Sequence, residues 1–226
     1  MEHVIQNSKL NVLYEDNHLI AVFKPAGLLV QGDASGAISL MDIVKDYLKE
    51  KYNKPGDVFL GLVHRLDRPV AGIVLFAKTS KGASRVSEQF REHEVSKIYT
   101  AVLEGELSKK EGSLEVYIKK DEKLRKAYVF DEVTQDAQKA SLSYKVLRRE
   151  NDRTWAQIEL HTGRFHQIRA TFAHIGYPIL GDGKYGSKMK YQEGKIALCA
   201  TELSFKTATD PKEIRLQLDA EEVFQF

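Results

Sequence analysis

Two uninterrupted apolar runs of strand length, Val58 to Val63 and Ile73 to Ala77, bracket the polar segment His64-Arg65-Leu66-Asp67-Arg68-Pro69. Apolar runs without alternation belong to strands covered on both faces, so the chain must lay protein over both sides of a sheet and carry charge at the mouth of that core. Further strand-like runs are Val12 to Tyr14 and Leu19 to Phe23, a hairpin over Glu15-Asp16-Asn17. Ile98 to Leu103, Leu114 to Ile118, Ala127 to Phe130, Ala140 to Leu147, Trp155 to Leu160, Leu198 to Phe205 and Ile214 to Leu218 follow. In Trp155 to Leu160, Ala156, Ile158 and Leu160 alternate with Trp155, Gln157 and Glu159, which predicts one wet face.

Helical spacing is rarer. Leu40, Ile43, Val44, Tyr47 and Leu48 recur on one face behind Ser39, and Asp42 stands where a capping box needs it; this helix should end near Pro55-Gly56. Ser80 is placed to cap a second helix reaching Glu92, and a third is predicted from His166 to Ile175, stopped by Gly176 and Pro178. Many strands and few helices, out of βαβ alternation, give an α+β fold around a mixed, largely antiparallel sheet. No Gly/Ser linker, repeat or low-complexity tract divides the sequence, so residues 1–226 are expected to form one domain of catalytic size.

Lys plus Arg total 34 against 32 for Asp plus Glu, a net charge of +2 that excludes binding to nucleic acid by bulk charge alone. A basic footprint must be local. From Arg164 to Lys190, Arg164, Arg169, Lys184, Lys188 and Lys190 face only Asp182, whereas the tail from Glu202 is acidic. Tyr185 and Tyr191 interleave those cations, and rings among phosphate-neutralising groups suit single-stranded or flipped nucleotides. The competing reading is a basic loop that keeps the protein in solution. Lys119 to Lys126, KKDEKLRK, is expected to be a hairpin tip, solvated or touching nucleic acid. Cys199, the one cysteine, leaves no intramolecular disulfide or Cys-rich metal site and reads as a small core residue. His161, His166 and His174 lack metal-ligand spacing, so no metal is expected. MEHVIQNSKLN contains no apolar signal core, and no run nears the roughly 20 residues of a membrane span, so a cytoplasmic protein without membrane attachment is expected.

Asp67 is the first candidate for chemistry, because Arg65 and Arg68 stand close enough in sequence to hold it ionised in its short loop. A carboxylate so placed can attack, or take a proton from, an electron-poor carbon. The plainer alternative is an Asp-Arg pair that locks a loop. Tyr99, at the start of a strand, reads from periodicity alone as a packed sheet aromatic.

HRLDRPVAGIVLFAKT from His64, YTAVLEG from Tyr99 and TGRFHQIRATFAHIGYPILGDGKYG from Thr162 together resemble the RluA-type family of pseudouridine synthases. NVLYEDNHLIAVFKPAGLLVQ is similar to that family's first hairpin and Lys-Pro-Ala-Gly turn, so the likeness covers about Leu10 to Phe205. The resemblance implies a curved mixed sheet in two halves, flanking helices and a central cleft. It implies Asp67 as the catalytic aspartate, Tyr99 as the active-site aromatic, set to stack on uracil and help take its C5 proton, and Arg169 as basic partner, with Arg164 of the same block as rival. Arg65 would displace or replace the target base; Arg164, His166 and Gln167, with Lys97 beside Tyr99, would hold RNA. The usual Asp-Arg-Asp/Glu-Thr-Ser-Gly reads Asp67-Arg68-Pro69-Val70-Ala71-Gly72 here, which removes the loop's hydroxyls. The small basic domain that often precedes the catalytic one is expected to be absent, since the first hairpin begins near Asn11.

The implied activity is isomerisation of uridine in rRNA or tRNA by a monomer that needs neither cofactor nor obligatory protein partner. Two rivals share features of it. A non-catalytic RNA-binding or chaperone module uses the basic patch but gives Asp67 no task, and a nucleoside hydrolase uses the carboxylate but releases free base.

Overall fold

The structure, a computed structural model, describes residues 10–224; the opening stretch read above for its lack of a signal core lies outside them as far as Lys9. β1 (Val12–Glu15) and β2 (Leu19–Lys24) form the expected hairpin, whose turn is fixed by Asp16 Oδ1 accepting from the amides of His18 and Leu19 at 2.7 and 2.6 Å. α1 (Leu40–Lys51) opens on Ser39 with the capping box to Asp42 complete. It stops before Pro55, where Asn53 takes a positive φ of 48°.

β3 (Gly61–Leu62), β4 (Ala71–Ala77) and α2 (Ser80–Arg91) follow, and Thr79 rather than Ser80 caps α2 by accepting from Gly82 N. Then come β5 (Ser96–Glu104), β6 (Glu111–Asp121), β7 (Lys126–Phe130), β8 (Gln138–Glu150) and β9 (Arg153–Leu160). α3 (Gln167–His174), a 3₁₀ turn at Gly183–Tyr185, β10 (Leu198–Lys206), β11 (Glu213–Gln217) and α4 (Ala220–Phe224) complete the described chain.

The strands join in one sheet, ordered β1-β2-β4-β10-β5-β9-β8-β6-β7, with β3 on β4 and β11 on β10. The fold is the expected α+β type, and among the described strands every pairing is antiparallel except β10 with β4. That parallel seam has a short register, Cys199 opposite Ala71 and Ala200 opposite Gly72, and it joins the strands of the first half to those of the second. Gly72 has φ 131°, and a Cβ there would lie 2.5 Å from the backbone N and O of Ala200. Only glycine lets the seam close.

β4 shows why its sequence does not alternate. Val74 and Phe76 enter the main core with Leu40, Val44 and Leu48 of α1, while Ile73 and Leu75 face a second layer with Val86 of α2 and Phe205. All seven residues of β4 are buried. Truncating Phe76 to alanine would cost about 3–5 kcal/mol, the range for a large aromatic removed from a closed core.

Two readings change. Val58 to Val63 is not a strand throughout: only Gly61 and Leu62 pair, with Ala77 and Phe76, while Val58 and Leu60 are buried from irregular backbone. An apolar run reports burial, and a buried loop produces the same run. Trp155 does not face water either; it packs with Leu180, Ala197, Cys199 and Phe224, so β9 is covered on its second face there. Among the described residues no helix is long and apolar enough to cross a membrane.

Candidate active site

The loop that carries Asp67 leads into β4 at the parallel seam, and α3 arrives from beyond β9 to face it. The local arginines do not hold Asp67. Arg68 Nε donates to the carbonyl of Gly27 at 3.0 Å, and Arg65 is exposed. The partner is Arg169, from which Nη1 donates to Asp67 Oδ2 at 2.9 Å across 102 residues of sequence. Of the two arginines between Thr162 and Ala170, Arg169 is the one that meets Asp67; Arg164 points its Nε to the carbonyl of Lys139 at 3.0 Å.

Arg169 is itself held from behind. Its Nε and Nη2 donate to Asp182 Oδ2 and Oδ1 at 2.7 and 2.9 Å, a fork that fixes the guanidinium plane. With 6% of the Arg169 side chain and 2% of Asp182 exposed, this is a buried pair. Burial pulls the arginine's pKa downward, but Asp182 and Asp67 outweigh it and raise it above its ordinary value, so the cation is permanent. Asp67, 28% exposed, is the end of the chain Asp182–Arg169–Asp67 that meets solvent.

Arg65, Leu66, Asp67, Val70, Tyr99, Leu160, Arg164, His166, Arg169 and Leu198 line one pocket. A roomier hollow of about 330 Å³ lies beside Tyr191 and Phe224, but its Tyr191 hydroxyl and Gln192 amide bond the Phe224 carbonyl and its Lys195 bonds Gln192. Those groups tie its walls together.

Tyr99 stands in the Asp67 pocket with its pKa raised by burial and by the negative charge of Asp67. It is a neutral phenol, suited to stacking and hydrogen-bond donation. His166 Nε2 lies 3.5 Å from Asp67 Oδ2, and burial lowers the pKa of His166 to about 4, so it meets Asp67 as a neutral ring. Its backbone is left-handed at φ 52°, an uncommon conformation outside glycine, which turns the ring back over the pocket as α3 begins.

Gln167, expected to hold RNA, lines the pocket and also braces the loop. Its Oε1 accepts from Thr162 Oγ1 and Arg164 N at 2.8 and 3.0 Å, and its Nε2 donates to the Ser141 carbonyl at 3.0 Å. Lys97, half-buried with its pKa lowered by that burial, stands two residues before Tyr99 in β5 and outside the pocket lining.

Sequence reasoning missed two residues. Asp182 stands out in the sequence only as the one acid among the cations of Arg164 to Lys190, and no local spacing ties it to Arg169. Lys24 is fully buried, and its ammonium donates to the carbonyls of Pro25, Leu28 and Arg68 at 3.1, 2.8 and 3.2 Å. It clamps the Lys-Pro-Ala-Gly turn onto the Asp67 loop, and burial pushes its pKa down to about 7. A lysine directly before a proline at the end of a buried strand was the available signal.

An ion-paired carboxylate, a buried cation and an aromatic ring thus share one small cleft. Residues 18–174 match the model of the RNA pseudouridylate synthase family, and the chain belongs to that family. It is 34% identical over 188 residues to an uncharacterized RNA pseudouridine synthase of Aquifex aeolicus, an alignment covering 81% of this chain and 58% of that protein. It is 33% identical to ribosomal large subunit pseudouridine synthase D of Pseudomonas aeruginosa, covering 84% and 57%, and 34% identical to tRNA pseudouridine synthase C of Haemophilus ducreyi, covering 79% and 74%. The chain thus spans less than two thirds of the length of the Aquifex and Pseudomonas relatives. Among solved structures, human RNA pseudouridylate synthase domain containing 4 matches with a TM-score of 0.77 at 22% identity, over 95% of this chain and 93% of that one. That likeness establishes the shared fold.

Proposed function

We propose that this chain isomerises uridine to pseudouridine in rRNA or tRNA, as a cytoplasmic monomer without cofactor. The observation that carries the reading is the pocket in which Arg169, braced by Asp182, holds one oxygen of Asp67 while Tyr99 lines the same cleft. The reaction breaks the N1–C1′ bond, turns the uracil and joins C5 to C1′; C5 gives up a proton and N1 gains one. Nothing is oxidised or reduced.

Asp67 acts on the sugar, by attack at C1′ or by removing a sugar proton to open a glycal route. Arg169, buried beside it, balances its charge. Tyr99 stacks on the uracil. Arg65, exposed at the rim, fills the gap left by the everted base and offsets an unstacking cost of about a few kcal/mol. Arg164 and Lys97 meet phosphates, His166 offers a neutral donor, and Gln167 keeps the loop in shape.

The test is incubation with RNA tritiated at uridine C5. Tritium release without free uracil is the expected result. Release of uracil would make the protein a hydrolase, and RNA binding with no release from rRNA or tRNA pools would make it a non-catalytic module.

A further inference from the structure

Tyr185 is buried behind the pocket, in the Gly-Asp-Gly-Lys-Tyr-Gly segment that supplies Asp182. Its hydroxyl oxygen accepts from the amide of Ala127 in β7 at 2.8 Å and lies 2.8 Å from His166 Nδ1. With the amide already donating to that oxygen, the phenol's single proton has, among the described residues, one partner left, Nδ1. A phenol that donates to Nδ1 leaves the proton of a neutral imidazole on Nε2, the nitrogen that faces Asp67 Oδ2. Phe165 stacks on the His166 ring at 3.8 Å between centroids and 21° between planes, which blocks a ring flip. The Tyr185 ring meanwhile lies 5.2 Å from the Arg169 guanidinium.

We propose that Tyr185 is a positioning residue: by donating to His166 Nδ1 it fixes the Nε2–H tautomer, so that His166 and Arg169 both address Oδ2 of Asp67 and leave Oδ1 for the nucleotide. Among the described residues Asp67 Oδ1 has no hydrogen-bond partner, in keeping with that division of labour. The charged groups around the His166 ring are Asp67, Arg169, Lys184 and Asp182, and burial keeps the ring neutral among them. Tyr185, with its pKa raised to about 12 by burial, keeps the proton it donates. Through Ala127 the same hydroxyl also fastens the β6–β7 hairpin to the site, and Lys184 Nζ adds a bond to the Arg125 carbonyl at 3.0 Å.

The catalytic part of this inference rests on the isomerase reading; the tautomer does not. Long-range proton–nitrogen NMR of the labelled protein at pH 7 should find His166 as the Nε2–H tautomer. Tyr185→Phe should turn that signal into a mixture of tautomers and lower kcat for RNA about tenfold, the scale of one lost hydrogen bond, with KM within about twofold. A purely structural role would lower stability and leave the tautomer and kcat of the folded fraction unchanged. Finding the Nδ1–H tautomer or an imidazolium in the parent protein overturns the proposal, as does Tyr185→Phe with the parent kcat. Should the variant fail to fold, the parent spectrum decides. Should the parent protein turn over no RNA, the isomerase reading fails while the spectrum still decides the arrangement.

Discussion

Two carboxylates in this molecule sit among cations and tyrosines, and they differ in what they have left to offer. Glu15 is saturated: Oε2 accepts from Lys51 and Tyr47 at 2.7 and 3.0 Å, and Oε1 from Lys78 and Tyr52 at 2.6 and 2.7 Å. Burial alone would raise its pKa, but the bonds from Lys51, Lys78, Tyr52 and Tyr47 bring it down to about 2. Among the described residues Asp67 has its protein partners on one oxygen only, His166 and Arg169 from the start of α3. Charge and burial therefore do not mark the site. An acid held firmly yet incompletely does, and Asp182 provides the firmness by locking Arg169 from behind.

Substitutions at the two carboxylates should have opposite consequences. Asp67→Asn should lower turnover by about a thousandfold or more while RNA affinity stays within about tenfold, read by single-turnover rates and filter binding, because the carboxylate acts in the chemical step. Asp182→Asn should lower turnover about a hundredfold and cost about 3 kcal/mol in urea unfolding, since it leaves a buried guanidinium without its fork. Glu15→Gln should cost about 1–3 kcal/mol of stability and leave turnover at the parent level, because its bonds join β1 to α1 and to the end of β4 far from the pocket.

The smallest effect is on the pH dependence of stability. Burial holds both His64 and His166 near a pKa of about 4, against 6.5 for a free histidine. Between those values the unfolded chain binds protons that the folded one does not, so the urea midpoint should fall as pH drops from 6.5 to 4. Glu15, depressed in the fold, adds stability that is complete above 4.5 and lost as pH falls through about 2. Glu15→Gln should make that lower limb shallower, Asp42 still contributing to it, and keep the upper one.

The fold class was legible because β4 announces burial on both faces and Ser39 with Asp42 announces a helix start. The extent of β3 was not, since Val58 and Leu60 are as apolar in a buried loop as in a strand. At the site, Asp67 stood out for being polar between apolar runs, but sequence neighbours misled: Arg68 turns to Gly27, and the true partner lies on α3. The family resemblance supplied Arg169; the pattern of charges alone left it level with Arg164. The roles of Asp182, Lys24 and Tyr185 were not legible because their partners, Arg169, the carbonyl of Arg68 and the Ala127 amide, are set by tertiary packing.

Whether reactivity belongs to the incompletely engaged acid is decided by single-turnover tritium release from C5-labelled RNA, with Asp67→Asn and Glu15→Gln run side by side at saturating protein. The expected result is background release from the first and the parent rate from the second. Release by Asp67→Asn near the parent rate, or loss of release by a folded Glu15→Gln, would contradict it.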